Sequence, residues 1–188
     1  MTDALLHGFS LPSKSETDFI NIVSAKDCTL VDDQGKQYLD AMASLWLCQI
    51  GHGNSKVVNA IKDQLDRLQT YNTFDPFTNT PASQAAEAIR RVSPHPNGRV
   101  FLGCSGSEAV DSALKLSRMF HQRRGDSDRQ IIVRRNAGYH GVNVGGTSVQ
   151  GIEPNRVGWG DLLPHVIEIP NDDIEEAATL FAEHGSRI

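Results

Sequence analysis

Between Arg99 and Arg118 the chain reads Arg-Val-Phe-Leu-Gly-Cys-Ser-Gly-Ser-Glu-Ala-Val-Asp-Ser-Ala-Leu-Lys-Leu-Ser-Arg. An apolar run, Val100 to Leu102, stops at small residues, Gly103 to Ser107, and a helical pattern opens at once. Such a junction aims unpaired N–H groups and the positive end of the helix dipole at one spot. That spot suits an anion, most often a phosphate. Small residues let the anion reach bare main chain. Ser105-x-x-Glu108 is equally a capping box, which a helix uses with or without a ligand. Taken singly, other candidates have plain readings too. Trp46 reads as core, Tyr139-His140 as a packed loop pair, and Phe74 and Phe77 as loop anchors. His52, between two glycines, reads as serving a turn, and Cys104 as a small buried residue at a strand end.

The elements that must position these groups follow from periodicity and turn chemistry. Residues 1–26 read as a polar arm with apolar anchors such as Phe9, Phe19 and Ile20. Thr29–Val31 and Gln37–Leu39 flank the turn formers Asp32 to Gly35 and predict a hairpin over Cys28 to Asp40. Ala41 to Gly53 is apolar without clean periodicity. Asn54 or Ser55 can cap a helix with Val57, Val58, Ile61, Leu65 and Leu68 on its apolar face. Thr80-Pro81 starts another, leading to Ala85, Ile89 and Val92. After the strand Val100–Leu102, a helix runs from about Ser107 to Gln122. Gln130 to Arg134 and His165 to Ile169 predict two further strands. Between them, Asn136 to Leu163 is glycine-rich and reads as a functional or mobile loop. Asn171 or Asp172 caps a last helix, with Ile174, Ala177, Leu180 and Phe181 inward and Gly185 at its end.

Strands alternating with helices after residue 98 predict an α/β domain with a parallel sheet. Three parallel strands needing cover on both faces make a thin core. Because Ser186-Arg-Ile188 falls where another strand should follow, the chain is expected to be truncated.

Bulk properties exclude several function classes. The formal charge of −5 and the absence of a Lys/Arg cluster argue against a nucleic-acid partner. Three cysteines without CxxC spacing fit neither a disulfide framework nor a zinc site, and favour a reducing compartment. Seven histidines show no HxxxH or HExxH spacing, so no metal site is expected. No apolar run approaches a membrane span, and the N-terminus lacks a signal peptide's basic flank and apolar core. The expected location is cytoplasmic.

With these pieces in order, the chain resembles the N-terminal part of the class III aminotransferases, pyridoxal-phosphate enzymes of fold type I. Val31-Asp-Asp-Gln-Gly-Lys-Gln-Tyr-Leu-Asp40 resembles the family's "xDxxGxxYLD" hairpin. Ser44-Leu-Trp, then Gly51-His-Gly-Asn and Val57-Val-Asn-Ala-Ile61, resembles its "GLW…LGHxxPxVVxAI" stretch. Phe101 to Arg118 is similar to "FxxSGSEAxExAxKxAR", and Tyr139-His-Gly141 to "YHG". Four motifs in register cover roughly residues 28–170. Small departures are Asn54-Ser55 for a common His-Pro pair, Cys104 for Asn and Asp111 for Glu.

The resemblance implies an incomplete parallel or mixed sheet with helices on both faces. It assigns 1–40, arm and hairpin, to the family's small domain, and 41–188 to the first part of the large cofactor-binding domain, truncated at its C-terminus. It implies that Ser105, Gly106 and Ser107 hold the phosphate of pyridoxal 5′-phosphate. Tyr139 would lie over the pyridine ring, with His140 behind it setting its position. Trp46 would line the substrate pocket. Phe74 and Phe77 sit where members reach across a homodimer interface. The implied partners are an amine or ω-amino acid and a 2-oxo acid such as pyruvate.

That chemistry also needs a lysine to bond the cofactor's aldehyde and a carboxylate on the pyridinium nitrogen. In the family both lie well beyond the YHG motif. The lysines here are Lys14, Lys26, Lys36, Lys56, Lys62 and Lys115, none after Tyr139. Lys115 reads as a solvated helix lysine, and no catalytic residue is assigned. The expected function is an aminotransferase lacking its Schiff-base lysine within this chain. The alternatives are a catalytically inactive truncated protein, or a decarboxylase, aminomutase or racemase sharing these motifs. A doubly wound enzyme for another phosphate ligand is the runner-up for the fold.

Overall fold

The computed structural model describes residues 4–188, which form two units, one ending at Asn79 and one running from Thr80 to Ile188.

The first unit is organised by a three-stranded antiparallel sheet, β1 (Ile22–Lys26), β2 (Thr29–Asp32) and β3 (Gln37–Leu39), in that order. The β2–β3 hairpin is the expected one, with Thr29 opposite Leu39 and Val31 opposite Gln37. Asp32 locks its turn. One carboxylate oxygen accepts from the amides of Gln34 (3.0 Å) and Lys36 (2.8 Å), the other from the Tyr38 hydroxyl (2.8 Å). Gly35 takes the left-handed position the turn requires, at φ +79°. Strand β1 lies in the stretch read as a polar arm and is a correction. Asp27, at φ +51°, closes a tight turn that brings Lys26 opposite Thr29. Aspartate tolerates that conformation, and the added strand pairs the second edge of β2.

Ala41 to Gly53 lacks helical periodicity for a physical reason. Its helical turn α1 (Ala43–Trp46) has positive φ at all four residues, +47°, +51°, +64° and +69°. A left-handed turn of L-residues costs about 1–2 kcal/mol per residue, so something outside it must hold it. Helix α2 (Ser55–Arg67) follows, capped by Asn54 Oδ1, which accepts from the amides of Lys56 (3.2 Å) and Val57 (3.4 Å). The apolar stripe Val57, Ile61 and Leu65 forms as read and is exposed.

The second unit contains α3 (Thr80–Val92), α4 (Gly106–Arg123), β4 (Ile132–Arg135), α5 (Val144–Val149), β5 (Val166–Ile169) and α6 (Ile174–His184). Strands β4 and β5 run parallel, Ile132 opposite Val166 and Arg135 opposite Ile169. The Arg134 guanidinium lies 2.7 Å from the Glu168 carboxylate across this pair. Helix α5 packs on α4 and β4, and α6 packs on β5. The α6 cap is Asp173, whose Oδ1 accepts from the Glu176 amide at 2.8 Å, one residue beyond the expected cap.

Three sequence expectations need correction here. Val100–Leu102 is not a strand, because β4 and β5 pair only with each other and a strand exists only through a partner's ladder. Ile174 and Phe181 on α6 are exposed rather than inward. Most instructive is 136–163, read as a loop: it carries α5, and residues 145–150 are the most buried stretch of the unit. Its glycines serve close packing. A Cβ on Gly146 would lie 2.3 Å from the His140 carbonyl oxygen, and one on Gly151 2.3 Å from that of Arg135.

Among the described residues, no helix is long and apolar enough to cross a membrane, and no cluster of His, Cys, Asp or Glu is placed to hold a metal.

Candidate functional site

Ser105 enters α4 in extended conformation, φ −154° and ψ 160°, and its Oγ accepts from the Glu108 amide at 3.1 Å. The capping box read from the sequence is displaced by one residue. Glu108 Oε2 takes the amide of Cys104 at 2.7 Å, leaving the Ser105 amide alone. Among the described residues the amides of Ser105, Gly106 and Ser107 therefore meet no acceptor. A Cβ built on Gly106 meets nothing within 4 Å, so the main chain there is open. Cys104 is exposed, not buried, because the strand it was expected to end does not form.

Two acidic side chains stand near this helix tip, and each is turned to a task within the fold. The Glu108 carboxylate lies against Gly103 and Cys104. Asp111 Oδ1 accepts from the Gly146 amide at 3.0 Å. What remains at the tip is positive: three free amides at the start of an 18-residue helix. The arrangement fits a phosphate group.

The Tyr139-His140-Gly141 segment is brought to the same place. Ser107 Oγ accepts from the Val142 amide at 3.0 Å, so its hydroxyl proton remains free to donate. Gly141 is buried at φ +105°, where a Cβ would strike Ser107. Tyr139 is half exposed. His140 lines a cleft of about 820 Å³ bounded by Val110, Leu114, β4 and Val149. Ser105–Ser107 do not line that cleft, and the ring contacts among the described residues do not include Tyr139 with His140.

Trp46 belongs to the first unit and is exposed on α1. Phe74 and Phe77 are also exposed there, Phe77 edge-on to Tyr71 with ring centroids 5.3 Å apart.

Two groups that shape these sites, Arg118 and Asp40, were not singled out in the sequence, and His52 was read only as serving a turn. Arg118 donates to the carbonyls of Gln130 (3.2 Å) and Pro164 (3.1 Å), tying α4 to the segments entering β4 and β5. In the first unit, Asp40 Oδ2 lies 2.8 Å from His52 Nε2. The hydrogen bond from His52 and the Ser44 amide hold the Asp40 carboxyl below its ordinary value, against the opposing effect of burial. Both were signalled only by sitting inside recognisable motifs. Neither spacing nor residue type pairs Asp40 with His52, twelve positions away.

The family model "Aminotransferase class-III" matches residues 11–185. The chain is 34% identical over 165 residues to the beta-alanine–pyruvate aminotransferase of Pseudomonas aeruginosa, covering 85% of this chain and 37% of that protein. It is 35% identical over 148 residues to the putrescine–pyruvate aminotransferase of the same organism, covering 79% and 32%. The chain thus spans about a third of the length of these relatives. Among solved structures, the omega transaminase of Pseudomonas jessenii in complex with PMP superposes with a TM-score of 0.89 at 25% identity, over 98% of this chain and 45% of that one. A transaminase from the marine bacterium Virgibacillus gives 0.90 at 26%, over 98% and 44%. The α/β fold expected from the sequence is the one these transaminases share over the matched part. By family match, identity and superposition together, the chain belongs to the class-III aminotransferases.

Proposed function

We propose that this chain supplies the phosphate-binding part of a pyridoxal-phosphate-dependent aminotransferase. That enzyme moves an amino group from an amine or ω-amino acid to a 2-oxo acid such as pyruvate. The observation carrying this reading is the set of acceptor-free amides at Ser105, Gly106 and Ser107, on open main chain at the tip of α4. These amides and the Ser107 hydroxyl bind the phosphate. Tyr139 would hold the cofactor ring, His140 would support that tyrosine, and Trp46 would line the substrate pocket. When bound, the cofactor supplies the electron sink that amino-group transfer requires.

The chain's own contribution is binding and orientation. The backbone donors are fixed before the ligand arrives, so no reorganisation opposes the capture of a dianion. Family membership supports the cofactor, and the relatives' names, pairing β-alanine or putrescine with pyruvate, support the substrate classes. The reading extends to a homodimer met through Phe74 and Phe77, which are exposed and apolar. It extends also to the cytoplasm, which the three free cysteines favour.

The test is an amide titration of the full chain with pyridoxal phosphate, inorganic phosphate and a nucleotide in separate arms. The resonances of Gly106 and Ser107 are expected to move first and saturably with pyridoxal phosphate, and more weakly with phosphate. Shifts centred elsewhere, or a stronger response to nucleotide, would overturn the proposal.

A further inference from the structure

Trp46 is 71% exposed, so packing does not fix where its indole points. Its direction is set by the main chain of α1, whose conformation L-residues disfavour. Within the turn, the amides of Trp46, Leu47 and Cys48 donate to Met42 and Ala43 carbonyls at 2.8, 3.0 and 2.9 Å. A right-handed turn offers equivalent bonds, so these do not select the hand.

The selecting contacts come from outside. Both oxygens of Asp40 face the Ser44 amide, at 3.0 and 3.2 Å, at the second residue of the strained turn. The same carboxylate is held at 2.8 Å by His52 Nε2, and its side chain is only 7% exposed. His52 is itself anchored. Its amide and carbonyl exchange two hydrogen bonds with Asp27, at 2.8 and 2.9 Å, and its Nδ1 lies 3.6 Å from Cys48 Sγ just past the turn. Through its ring and its main chain, one histidine therefore links the carboxylate that holds the turn, the exit of the turn and the β1–β2 connection.

We infer that Asp40 and His52 are positioning residues for Trp46, locking a left-handed turn that aims the indole outward as a wall of the amine pocket. The pocket assignment rests on the proposed function; the lock itself does not. Ser44 stands where the motif it resembles carries glycine, the residue that adopts φ +51° without strain. In this chain the Asp40–His52 pair offsets the strain that glycine would remove.

The test is hydrogen exchange of the Trp46, Leu47 and Cys48 amides in the full chain, with the β2–β3 amides as internal control. Emission of Trp46 is read alongside, in a Trp159→Phe background. Asp40→Asn and His52→Gln are each expected to speed exchange at the turn at least tenfold and to shift Trp46 emission, with the hairpin unchanged. Adding Ser44→Gly to either variant is expected to restore both signals. Ser44→Gly alone, which keeps the pair intact, is expected to slow exchange, whereas in a right-handed turn it would speed it. Unchanged exchange in Asp40→Asn, or faster exchange in Ser44→Gly, would overturn the inference. Neither result touches phosphate binding at Gly106, so the two proposals fail separately.

Discussion

A Cβ on Gly141 would stand 2.6 Å from the Oγ of Ser107 and 2.8 Å from its Cα. The glycine of the YHG segment and a serine of the phosphate loop are thus a packed pair, 34 positions apart in sequence. Gly141→Ala meets a second obstacle, since φ is +105° there. Strain of this kind costs about 1–3 kcal/mol, and the alanine must also displace Ser107. Urea unfolding followed by Trp159, in the same unit, is expected to show a loss at least that large. Binding of pyridoxal phosphate should weaken in parallel, because the displaced group is a proposed ligand.

Gly106 offers the opposite combination. A Cβ there meets nothing within 4 Å, and φ is not positive. Alanine in a helix is favoured over glycine by roughly 0.5–1 kcal/mol, so Gly106→Ala is expected to leave stability unchanged or slightly raised. The methyl group would nonetheless stand over the amides proposed to hold the phosphate. An affinity loss of about tenfold, or 1.4 kcal/mol, without destabilisation would separate a binding role from a capping role. Equal affinity for wild type and variant would leave only the cap.

Local signals carried much of this fold and of its candidate site. The Asp32–Gly35 turn, the Asn54 and Ser105 caps and the stripe of α2 are written in neighbouring residues, and all form. What could not be read depends on partners distant in sequence. Val100–Leu102 has the composition of a strand but no neighbour to pair with. The glycines of 145–151 look like flexible loop until the carbonyls of His140 and Arg135 are placed against them. The left hand of α1 is invisible because Ala, Ser, Leu and Trp carry no turn signal, and the groups selecting it lie at 40 and 52.

The same glycines give a graded expectation. At Gly145 the nearest atom to a new Cβ is Asp111 Oδ1, at 2.4 Å, the end of a side chain that can give way by releasing the Gly146 amide. At Gly146 it is the His140 carbonyl oxygen, at 2.3 Å, which is main chain. Overpacking a tight interior costs typically 1–3 kcal/mol. Gly146→Ala should therefore fall at or beyond the top of that range and Gly145→Ala below it. Thermal unfolding of the two variants, compared under identical conditions, reads the order directly. Reversal would mean that α4 and α5 do not pack as described.

The acid response of the first unit follows from Asp32 and Asp40. Burial pushes the Asp32 carboxyl up, but the Tyr38 hydroxyl, the Lys36 and Gln34 amides and the Lys36 charge outweigh it and set the value below the ordinary 3.8. Asp40 is lowered as well, first by its hydrogen bond from His52. A carboxyl lowered on folding adds stability that is fully present above its unfolded value and is lost as pH falls through the folded one. From these two groups, the first unit is expected to hold constant stability well above pH 3.8 and to weaken below it. Trp46 lies in this unit and Trp159 in the other, so denaturation of Trp159→Phe at graded acid pH isolates the effect. Asp32→Asn with Asp40→Asn should lower stability at neutral pH and flatten the acid dependence. An acid slope as steep in that double variant as in wild type would place the titrating groups elsewhere.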